Sequence, residues 1–162
     1  MIKEFHIYDS DAMKTFGKII GEMAIAGQIF AMDGELGAGK TTLTQGIARG
    51  LGIKERLNSP TFTFIQDYKS GKLPLMHMDA YRIETPELLD DIGYEDYLFT
   101  EYIIVIEWAK QIEKRIPGEA FKVNINYLEE GRKISIEYDQ NQKLWMMAFI
   151  KKVEEVKNIC IL

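Results

Sequence analysis

Apolar positions in the first third of the chain follow two alternating spacings, which indicates strands interleaved with helices. Residues 3–8 and 28–32 are short segments with the spacing and composition of strands. Apolar side chains recur at helical spacing over residues 13–24 and again over residues 43–51. Gly52 follows the second helical segment, and glycine is typical of helix ends. The pattern predicts the order strand, helix, strand, helix.

The remaining pattern adds two hairpins and a buried strand. Residues 61–68 and 73–78 predict two strands joined by a turn. Residues 103–106 are all apolar and β-branched, which is typical of a strand buried on both faces. Residues 121–128 and 133–138 alternate apolar and polar side chains and predict a second hairpin. Helices are predicted after Pro86, over residues 109–116 and over residues 144–156.

These elements predict an α/β protein built as a three-layer sandwich, with a mixed, mainly parallel central sheet and hairpin additions. No internal repeat, low-complexity tract or linker divides the 162 residues. We therefore expect a single domain over residues 1–162.

Composition excludes several classes of protein. The chain is 46% hydrophobic and 28% charged, which is typical of globular proteins. Disordered and collagen-like chains have a different composition. Its longest unbroken apolar run, residues 144–150, is far shorter than the roughly 20 residues that a membrane helix needs. The N-terminus shows no signal peptide, so we expect a cytoplasmic protein with no membrane partner. Cys160 is the only cysteine, which excludes an intrachain disulfide.

The charge balance argues against direct contact with nucleic acid. The 20 Lys and Arg residues against 25 Asp and Glu give a net charge of −5, and the basic residues are scattered along the chain. A protein that grips a phosphate backbone by itself usually presents a basic stripe. If nucleic acid is involved, we expect a partner to hold it.

A glycine-rich segment before the second helix carries the clearest chemistry. Residues 34–41, GELGAGKT, fit G-x-x-x-x-G-K-[ST] at every fixed position. Glycines let backbone N–H groups face phosphate oxygens, and the helix that follows adds the positive end of its dipole. Lys40 is expected to reach the β- and γ-phosphates, and the Thr41 hydroxyl to bind Mg²⁺. A glycine turn with a solvated lysine is the alternative, but the flanking strand and helix favour a phosphate site.

Two acidic residues follow predicted strands and are candidates to complete this site. Glu107 follows the buried strand at residues 103–106, and Asp79 follows the weaker segment at residues 75–78. A phosphate loop needs a carboxylate at a neighbouring strand end to hold Mg²⁺ or its waters and to orient the attacking water. We predict that Glu107 holds Mg²⁺ and that Asp79 positions water or supports the metal's surroundings, although the two roles could be exchanged.

Four further positions have two interpretations each. Ser59 and Thr61 carry hydroxyls where switch segments lie in phosphate-loop proteins, although a plain Ser-Pro turn explains the pattern almost as well. His77 lies two residues before Asp79, but a lone histidine in a strand is more typical of a hydrogen-bonded structural residue than of a metal ligand. Trp108 follows Glu107, and it is either an accessory residue of the same site or a residue that packs in the core.

Together these motifs resemble the bacterial tRNA threonylcarbamoyladenosine biosynthesis protein TsaE family, formerly YjeE. A phosphate loop alone is shared by very many enzymes, whereas this succession of motifs is specific and covers nearly the whole chain. The motifs are GELGAGKTT at residues 34–42, SPTFTFIQDY at 59–68, HMDAYR at 77–82, GYEDYL at 93–98, IEW at 106–108 and GR at 131–132.

The resemblance implies a P-loop NTPase-like fold and a weak ATPase with ATP and Mg²⁺ as cofactors. In the family this activity serves the synthesis of N6-threonylcarbamoyladenosine (t6A) at position 37 of tRNAs that read codons beginning with A, the ANN codons. The implied partners are homologues of TsaD, which performs the transfer, and of TsaB. The tRNA is reached only through that complex.

The resemblance also implies roles for individual residues. The family's Mg²⁺ positions fall on Thr41 and Glu107, and its H-x-D-x-Y-R acid falls on Asp79. With Lys40 and Glu107, Asp79 completes the expected catalytic set. Trp108 matches the tryptophan beside the metal ligand. The implied nucleotide-binding residues are Gly34, Gly37, Ala38, Gly39, Lys40, Thr41, Thr42 and, near the base and ribose, Arg132.

Other functions stay open at this point. A small-molecule kinase usually brings several arginines onto the transferred phosphate, and this chain has five, dispersed along its length. A GTPase is less favoured because no N-K-x-D motif is present to recognise guanine. A nucleotide-binding scaffold without turnover is a further alternative.

Overall fold

The computed structural model of the protein describes residues 1–162 and contains one eight-stranded sheet with helices on both faces. The strands are β1 (Ile2–Ile7), β2 (Ile29–Gly34), β3 (Ile65–Tyr68), β4 (Leu75–Asp79), β5 (Ile103–Glu107), β6 (Phe121–Tyr127), β7 (Arg132–Glu137) and β8 (Ile159–Ile161). The helices are α1 (Ser10–Met23), α2 (Lys40–Gly50), α3 (Glu87–Asp91) and α4 (Lys143–Val153), with 3₁₀ helices at Tyr94–Tyr97 and Ala109–Arg115. None of the helices is both long and apolar enough to cross a membrane.

The sheet is mixed, with the strand order β3-β4-β5-β2-β6-β7-β1-β8. Its centre is parallel, through the pairings of β4 with β5, β5 with β2 and β2 with β6. The other four pairings are antiparallel and extend both edges. The α/β class and the mixed sheet with a parallel centre and hairpin additions are confirmed. The segments near the two chain ends, β1 and β8, add further antiparallel pairings. The carboxyl ends of β2, β4 and β5 meet at one edge, where ligands bind in open α/β sheets.

Strand β5 contributes side chains to two separate cores. All five of its residues are buried, as the apolar run predicts. Ile103 and Val105 belong to the core under α1, α2 and α4. Ile104 and Ile106 belong to the smaller core that contains residues of α3 and the 3₁₀ helices. The two cores confirm the three-layer arrangement, with longer helices on one face and short helical segments on the other.

Helix α2 packs against α1 at very close range. A Cβ atom added at Gly17 of α1 would collide with the backbone oxygen of Leu43, and one added at Gly46 of α2 would collide with that of Lys14. Only residues without a side chain permit this approach of two backbones. Because α2 begins at the glycine-rich loop, this contact fixes the position of the loop over the sheet edge.

Three elements differ from their predictions. Residues 61–64 form a turn, so β3 begins only at Ile65. The helix predicted over residues 109–116 is a 3₁₀ helix with non-helical backbone angles at Ile112. The third difference is β8, Ile159–Ile161, which pairs with β1 and which the residue pattern does not predict. A strand of three residues is too short to show a periodicity, so tertiary pairing alone defines it.

Candidate functional site

The glycine-rich loop joins β2 to α2 at the carboxyl edge of the parallel strands. Gly34, Gly37 and Gly39 have φ values of 151°, 74° and 116°, which other residues rarely adopt. Gly39 precedes α2 without any side-chain hydrogen bond to the first turn. The first N–H groups of α2 therefore have no intrahelical partner, and the positive end of the helix dipole lies with them. This is the arrangement of an anion-binding site.

Lys40 is the first residue of α2, and its side chain folds back onto the loop. It is only 5% exposed, and its Nζ donates to the backbone oxygens of Gly34 at 2.5 Å and Glu35 at 3.0 Å. The same Nζ lies 3.9 Å from the centroid of the Trp108 ring. Burial lowers the pKa of Lys40, and the nearby carboxylate of Glu107 opposes that shift. The loop thus holds a partly desolvated cation that an anion could stabilise.

Glu107, the last residue of β5, lies beside the first turn of α2. Its side chain is only 3% exposed. Oε2 accepts a hydrogen bond from Thr41 Oγ1 at 3.0 Å, and Oε1 lies 2.7 Å from Nε2 of His77 on β4. The structure therefore brings together Thr41 and Glu107, the two residues predicted to hold Mg²⁺, and adds a histidine behind the carboxylate.

Asp79 ends β4 and lies directly across from Glu107 in the register of the two parallel strands. Its Oδ2 accepts hydrogen bonds from the hydroxyls of Thr61 at 2.9 Å and Ser59 at 3.2 Å. Its Oδ1 accepts from the backbone N–H of Tyr81 at 2.9 Å. Asp79 therefore holds the segment that carries Ser59 and Thr61 at the end of β4, beside the glycine-rich loop.

Most of the predicted residues line one cavity of about 380 Å³. Ten of them line it, namely Gly37, Gly39, Lys40, Thr41, Thr42, Ser59, Thr61, Asp79, Glu107 and Trp108. The cavity opens between the loop, the segment at residues 59–61 and the ends of β4 and β5. Its lining combines a buried cation, two carboxylates and several hydroxyls, which suits a phosphate chain with a divalent cation.

Three predicted residues lie outside that cavity. Ala38 and Arg132 line a neighbouring cavity of about 200 Å³, which shares Gly37, Gly39 and Thr42 with the larger one. Gly34 lines neither of the two and instead accepts the hydrogen bond from Lys40. The two cavities share loop residues, so a ligand bound through phosphates in the first could extend into the second.

Arg132 supports the loop from the β6–β7 hairpin. Its Nε donates to the backbone oxygen of Ala38 at 3.1 Å, and its guanidinium lies 4.0 Å from the ring centroid of Tyr127. The hydroxyl of Tyr127 donates to the backbone oxygen of Leu36 at 2.8 Å. These contacts give Arg132 a structural part in holding the loop, in addition to its position beside the second cavity.

The donor set fits a magnesium ion that is bound together with a phosphate ligand. No group of three or more His, Cys, Asp or Glu side chains forms a metal cage in this protein. Thr41 and Glu107 supply one hydroxyl and one carboxylate within 3.0 Å of each other. Mg²⁺ is commonly held by one or two such protein ligands, with waters and phosphate oxygens completing its octahedron.

The structure adds residues that the motifs do not identify. Leu36 and Tyr81 line the larger cavity, and Tyr127 braces the loop. Met13 of α1 lines the smaller cavity, as Arg132 does. Tyr81 lies inside the HMDAYR segment and could have been proposed from its neighbours. The bracing role of Tyr127 has no signal in the residue pattern, because it depends on the hairpin folding back across the loop.

Comparisons with known proteins find similarity over most of the chain. Residues 7–134 match the model of the family described as "Threonylcarbamoyl adenosine biosynthesis protein TsaE". The tRNA threonylcarbamoyladenosine biosynthesis protein TsaE of Bacillus subtilis (strain 168) is 43% identical over 112 residues, which are 69% of this chain and 70% of that protein. The protein of the same name from Nostoc sp. (strain PCC 7120) is 39% identical over 126 residues, or 76% of this chain and 77% of that protein.

A solved structure is similar over almost the whole chain. The crystal structure of YdiB from Bacillus subtilis superposes with a TM-score of 0.74 at 30% sequence identity. The match covers 95% of this chain and 96% of that chain. The α/β architecture is therefore shared with a protein of nearly the same extent.

Proposed function

Because this chain belongs to the TsaE family of proteins for threonylcarbamoyladenosine (t6A) biosynthesis in tRNA, we propose that it binds ATP with Mg²⁺ and hydrolyses it slowly. One observation carries the proposal. Lys40, Thr41 and Glu107 converge on a single cavity behind a glycine-rich loop whose backbone is shaped for phosphates. We further propose that turnover supports t6A formation at position 37 of tRNAs that read ANN codons.

Each residue of the proposed site has a distinct part. The N–H groups at the start of α2 and the ammonium of Lys40 bind the phosphate chain. Thr41 and Glu107 would hold Mg²⁺, which when bound neutralises negative charge on the phosphate oxygens. Asp79, facing the cavity from the end of β4, orients the attacking water. Ser59 and Thr61 keep the Asp79 carboxylate in place through their hydroxyls.

The arrangement of arginines favours hydrolysis over transfer to a small molecule. None of the five arginines lines the larger cavity, and Arg132 beside the smaller one is held by the oxygen of Ala38. Kinases of similar size usually place several arginines around the transferred phosphoryl group. The placement of the arginines therefore argues against a small-molecule kinase, and an assay of the reaction products distinguishes a kinase from an ATPase.

The partners that we propose are TsaD and TsaB homologues, with tRNA reached through that complex. The net charge of −5 supports an indirect rather than a direct contact with tRNA. Leu36, beside the cavity, and Phe62, next to Thr61, are 84% and 80% exposed. We propose that these two exposed apolar side chains contribute to the surface that meets the partner protein.

The direct test compares nucleotide binding by the natural protein and by Lys40→Ala. Loss of the ammonium removes charge-assisted bonds to phosphate, so we expect ATP affinity in Mg²⁺ to fall by about 100-fold. Isothermal titration calorimetry measures the affinity, and Lys54→Ala, which removes an exposed lysine outside the cavity, serves as the matched control.

The same preparations separate the remaining alternatives. Slow release of inorganic phosphate from ATP supports an ATPase, and faster phosphorylation of a metabolite in a panel supports a kinase. Unchanged ATP affinity in Lys40→Ala would overturn the assignment of the loop. Elution together with TsaB and TsaD in ATP, but not without it, supports the proposed partnership.

A further inference from the structure

His77 is a fully buried polar residue beside the candidate site, and the roles assigned so far leave it unused. It lies in the middle of β4 with no exposed surface. Its Nε2 is 2.7 Å from Oε1 of Glu107. Its Nδ1 is the one buried side-chain nitrogen or oxygen in the protein that has no hydrogen-bond partner. A histidine serving only to fill space would be better replaced by an apolar side chain, because an unpaired buried polar atom is unfavourable.

The direction of the His77–Glu107 hydrogen bond follows from its acceptor. An ionised carboxylate only accepts hydrogen bonds, so Nε2 carries the hydrogen and donates it to Oε1. In the neutral imidazole the other nitrogen, Nδ1, then carries no hydrogen, and an acceptor is less costly to leave unpaired than an N–H group. The unpaired atom is thus explained by the bond that the other nitrogen makes.

No other side chain takes this place at Oε1. The Thr44 hydroxyl is 3.4 Å from the same oxygen, but it lies 2.9 Å from the backbone oxygen of Lys40, to which it donates its single hydrogen. His77 is therefore the principal donor to Oε1. The other oxygen of Glu107, Oε2, faces Thr41.

The strand register explains how one histidine reaches the carboxylate. Asp79 pairs with Glu107 across the parallel strands β4 and β5, and His77 lies two residues earlier on β4. Residues two apart in a strand project from the same face, so His77 and Asp79 lie on the side of the sheet that carries Glu107. The histidine approaches from the interior, whereas Asp79 lies at the cavity.

We propose that His77 is a positioning residue that holds the Glu107 carboxylate in the one orientation in which Oε2 and the Thr41 hydroxyl together face a Mg²⁺ ion. The proposal rests on the function proposed above, since it assumes that Glu107 acts through the metal. Carboxylates that bind metals are commonly oriented by such outer hydrogen bonds, and their loss typically lowers metal affinity by about 10- to 100-fold.

The test measures how strongly Mg²⁺ improves nucleotide binding. ATP affinity is determined by calorimetry over a series of Mg²⁺ concentrations for the natural protein, His77→Gln and His77→Asn. Gln places an amide donor near the position of Nε2, whereas Asn is too short to reach Glu107. We expect the Mg²⁺ concentration for half-maximal effect to rise by about 10-fold or more in His77→Asn. We expect His77→Gln to recover most of the loss, and ATP affinity without Mg²⁺ to stay the same in both.

Two controls exclude a general loss of stability. Leu75→Ala removes a buried side chain on the same face of β4, two residues from His77, and should lower the melting temperature without moving the Mg²⁺ dependence. In a Glu107→Ala background, His77→Asn should have no further effect on Mg²⁺ dependence, because the carboxylate that it orients is gone.

The possible outcomes distinguish a failure of the positioning role of His77 from a failure of the proposed function. If the natural protein binds ATP with a clear Mg²⁺ dependence that His77→Asn leaves unchanged, the positioning role is wrong and the proposed function stands. An equal loss in His77→Asn and His77→Gln, or the same loss in Leu75→Ala, also contradicts the positioning role. If the natural protein does not bind ATP, the proposed function itself fails.

Discussion

Lys40 makes two hydrogen bonds that a phosphate ligand would have to replace. In the structure its ammonium donates to the oxygens of Gly34 and Glu35 under the ring of Trp108. Exchange of these neutral acceptors for phosphate oxygens gives stronger, charge-assisted bonds. Since burial lowers the pKa of Lys40, an anion at this position also compensates for desolvation of the cation. A phosphate group should therefore stabilise the charged form of Lys40 more than it would stabilise that of an exposed lysine.

The buried hydroxyl of Tyr94 should make the stability of the protein depend on pH in the alkaline range. Burial raises its pKa to about 12 from the ordinary value of 10.0, and its hydroxyl donates to the backbone oxygen of Arg115. Above pH 10 the unfolded chain loses this proton while the folded chain keeps it. The free energy of unfolding should therefore fall between about pH 10 and pH 12, by up to about 3 kcal/mol from this residue.

Urea denaturation at several pH values checks this prediction, with Tyr94→Phe as the comparison. The variant lacks the titrating hydroxyl, so its free energy of unfolding should decline less over the same range. Equal declines in the natural protein and the variant would show that Tyr94 does not control the alkaline loss of stability.

Individual residues differ in how far their surroundings follow from the sequence. The pattern G-x-x-x-x-G-K-[ST] has a fixed geometry, so the surroundings of Lys40 and Thr41 are close to what local sequence predicts. Glu107 is correctly expected at a strand end because residues 103–106 are a β-branched apolar run. Asp79 follows a weaker strand pattern, and the structure places it across from Glu107 at the end of the adjacent strand. The hydrogen bond from Tyr127 to the loop depends on contacts between distant segments, which no local pattern contains.

At the scale of elements, prediction succeeds where one physical effect dominates. Strand β5 is predicted because its first four residues are all apolar and β-branched, and the strand is buried on both faces. Residues 61–64 alternate threonine and phenylalanine, which favours a strand, yet they form a turn in which the Thr61 hydroxyl bonds to Asp79. Strand β8 forms only because the chain returns to the edge of β1.

The contact between α1 and α2 gives a prediction at this scale. A side chain at Gly46 would collide with the backbone oxygen of Lys14, so Gly46→Ala must push the two helices apart. We expect the free energy of unfolding to fall by about 1–3 kcal/mol, and ATP affinity to fall with it because α2 carries Lys40 and Thr41. Chemical denaturation and calorimetry measure the two effects.

Gly118→Ala is the matched control for this experiment. No atom lies within 4 Å of a Cβ added there, and the residue belongs to neither helix. It should change neither stability nor binding appreciably. If Gly46→Ala behaves like Gly118→Ala, close packing of the two helices does not hold the loop in place.

At the scale of the whole molecule, one sheet edge gathers side chains from distant parts of the chain. Lys40, Asp79 and Glu107 belong to three separate elements, and the parallel order of β4, β5 and β2 brings them to the same edge. The chain carries a net charge of −5, while a buried lysine lies at the glycine-rich loop. This combination agrees with our proposal that the protein uses ATP while its partners hold the tRNA.

The most direct test replaces the natural protein in cells by Lys40→Ala and measures t6A in the tRNAs that read ANN codons, by mass spectrometry of the tRNA nucleosides. Cells that carry the natural protein or the control Lys54→Ala should contain t6A at position 37. Cells that carry only Lys40→Ala at the same protein level should contain unmodified adenosine there. Full t6A content with Lys40→Ala would contradict the claim that this site supports the modification.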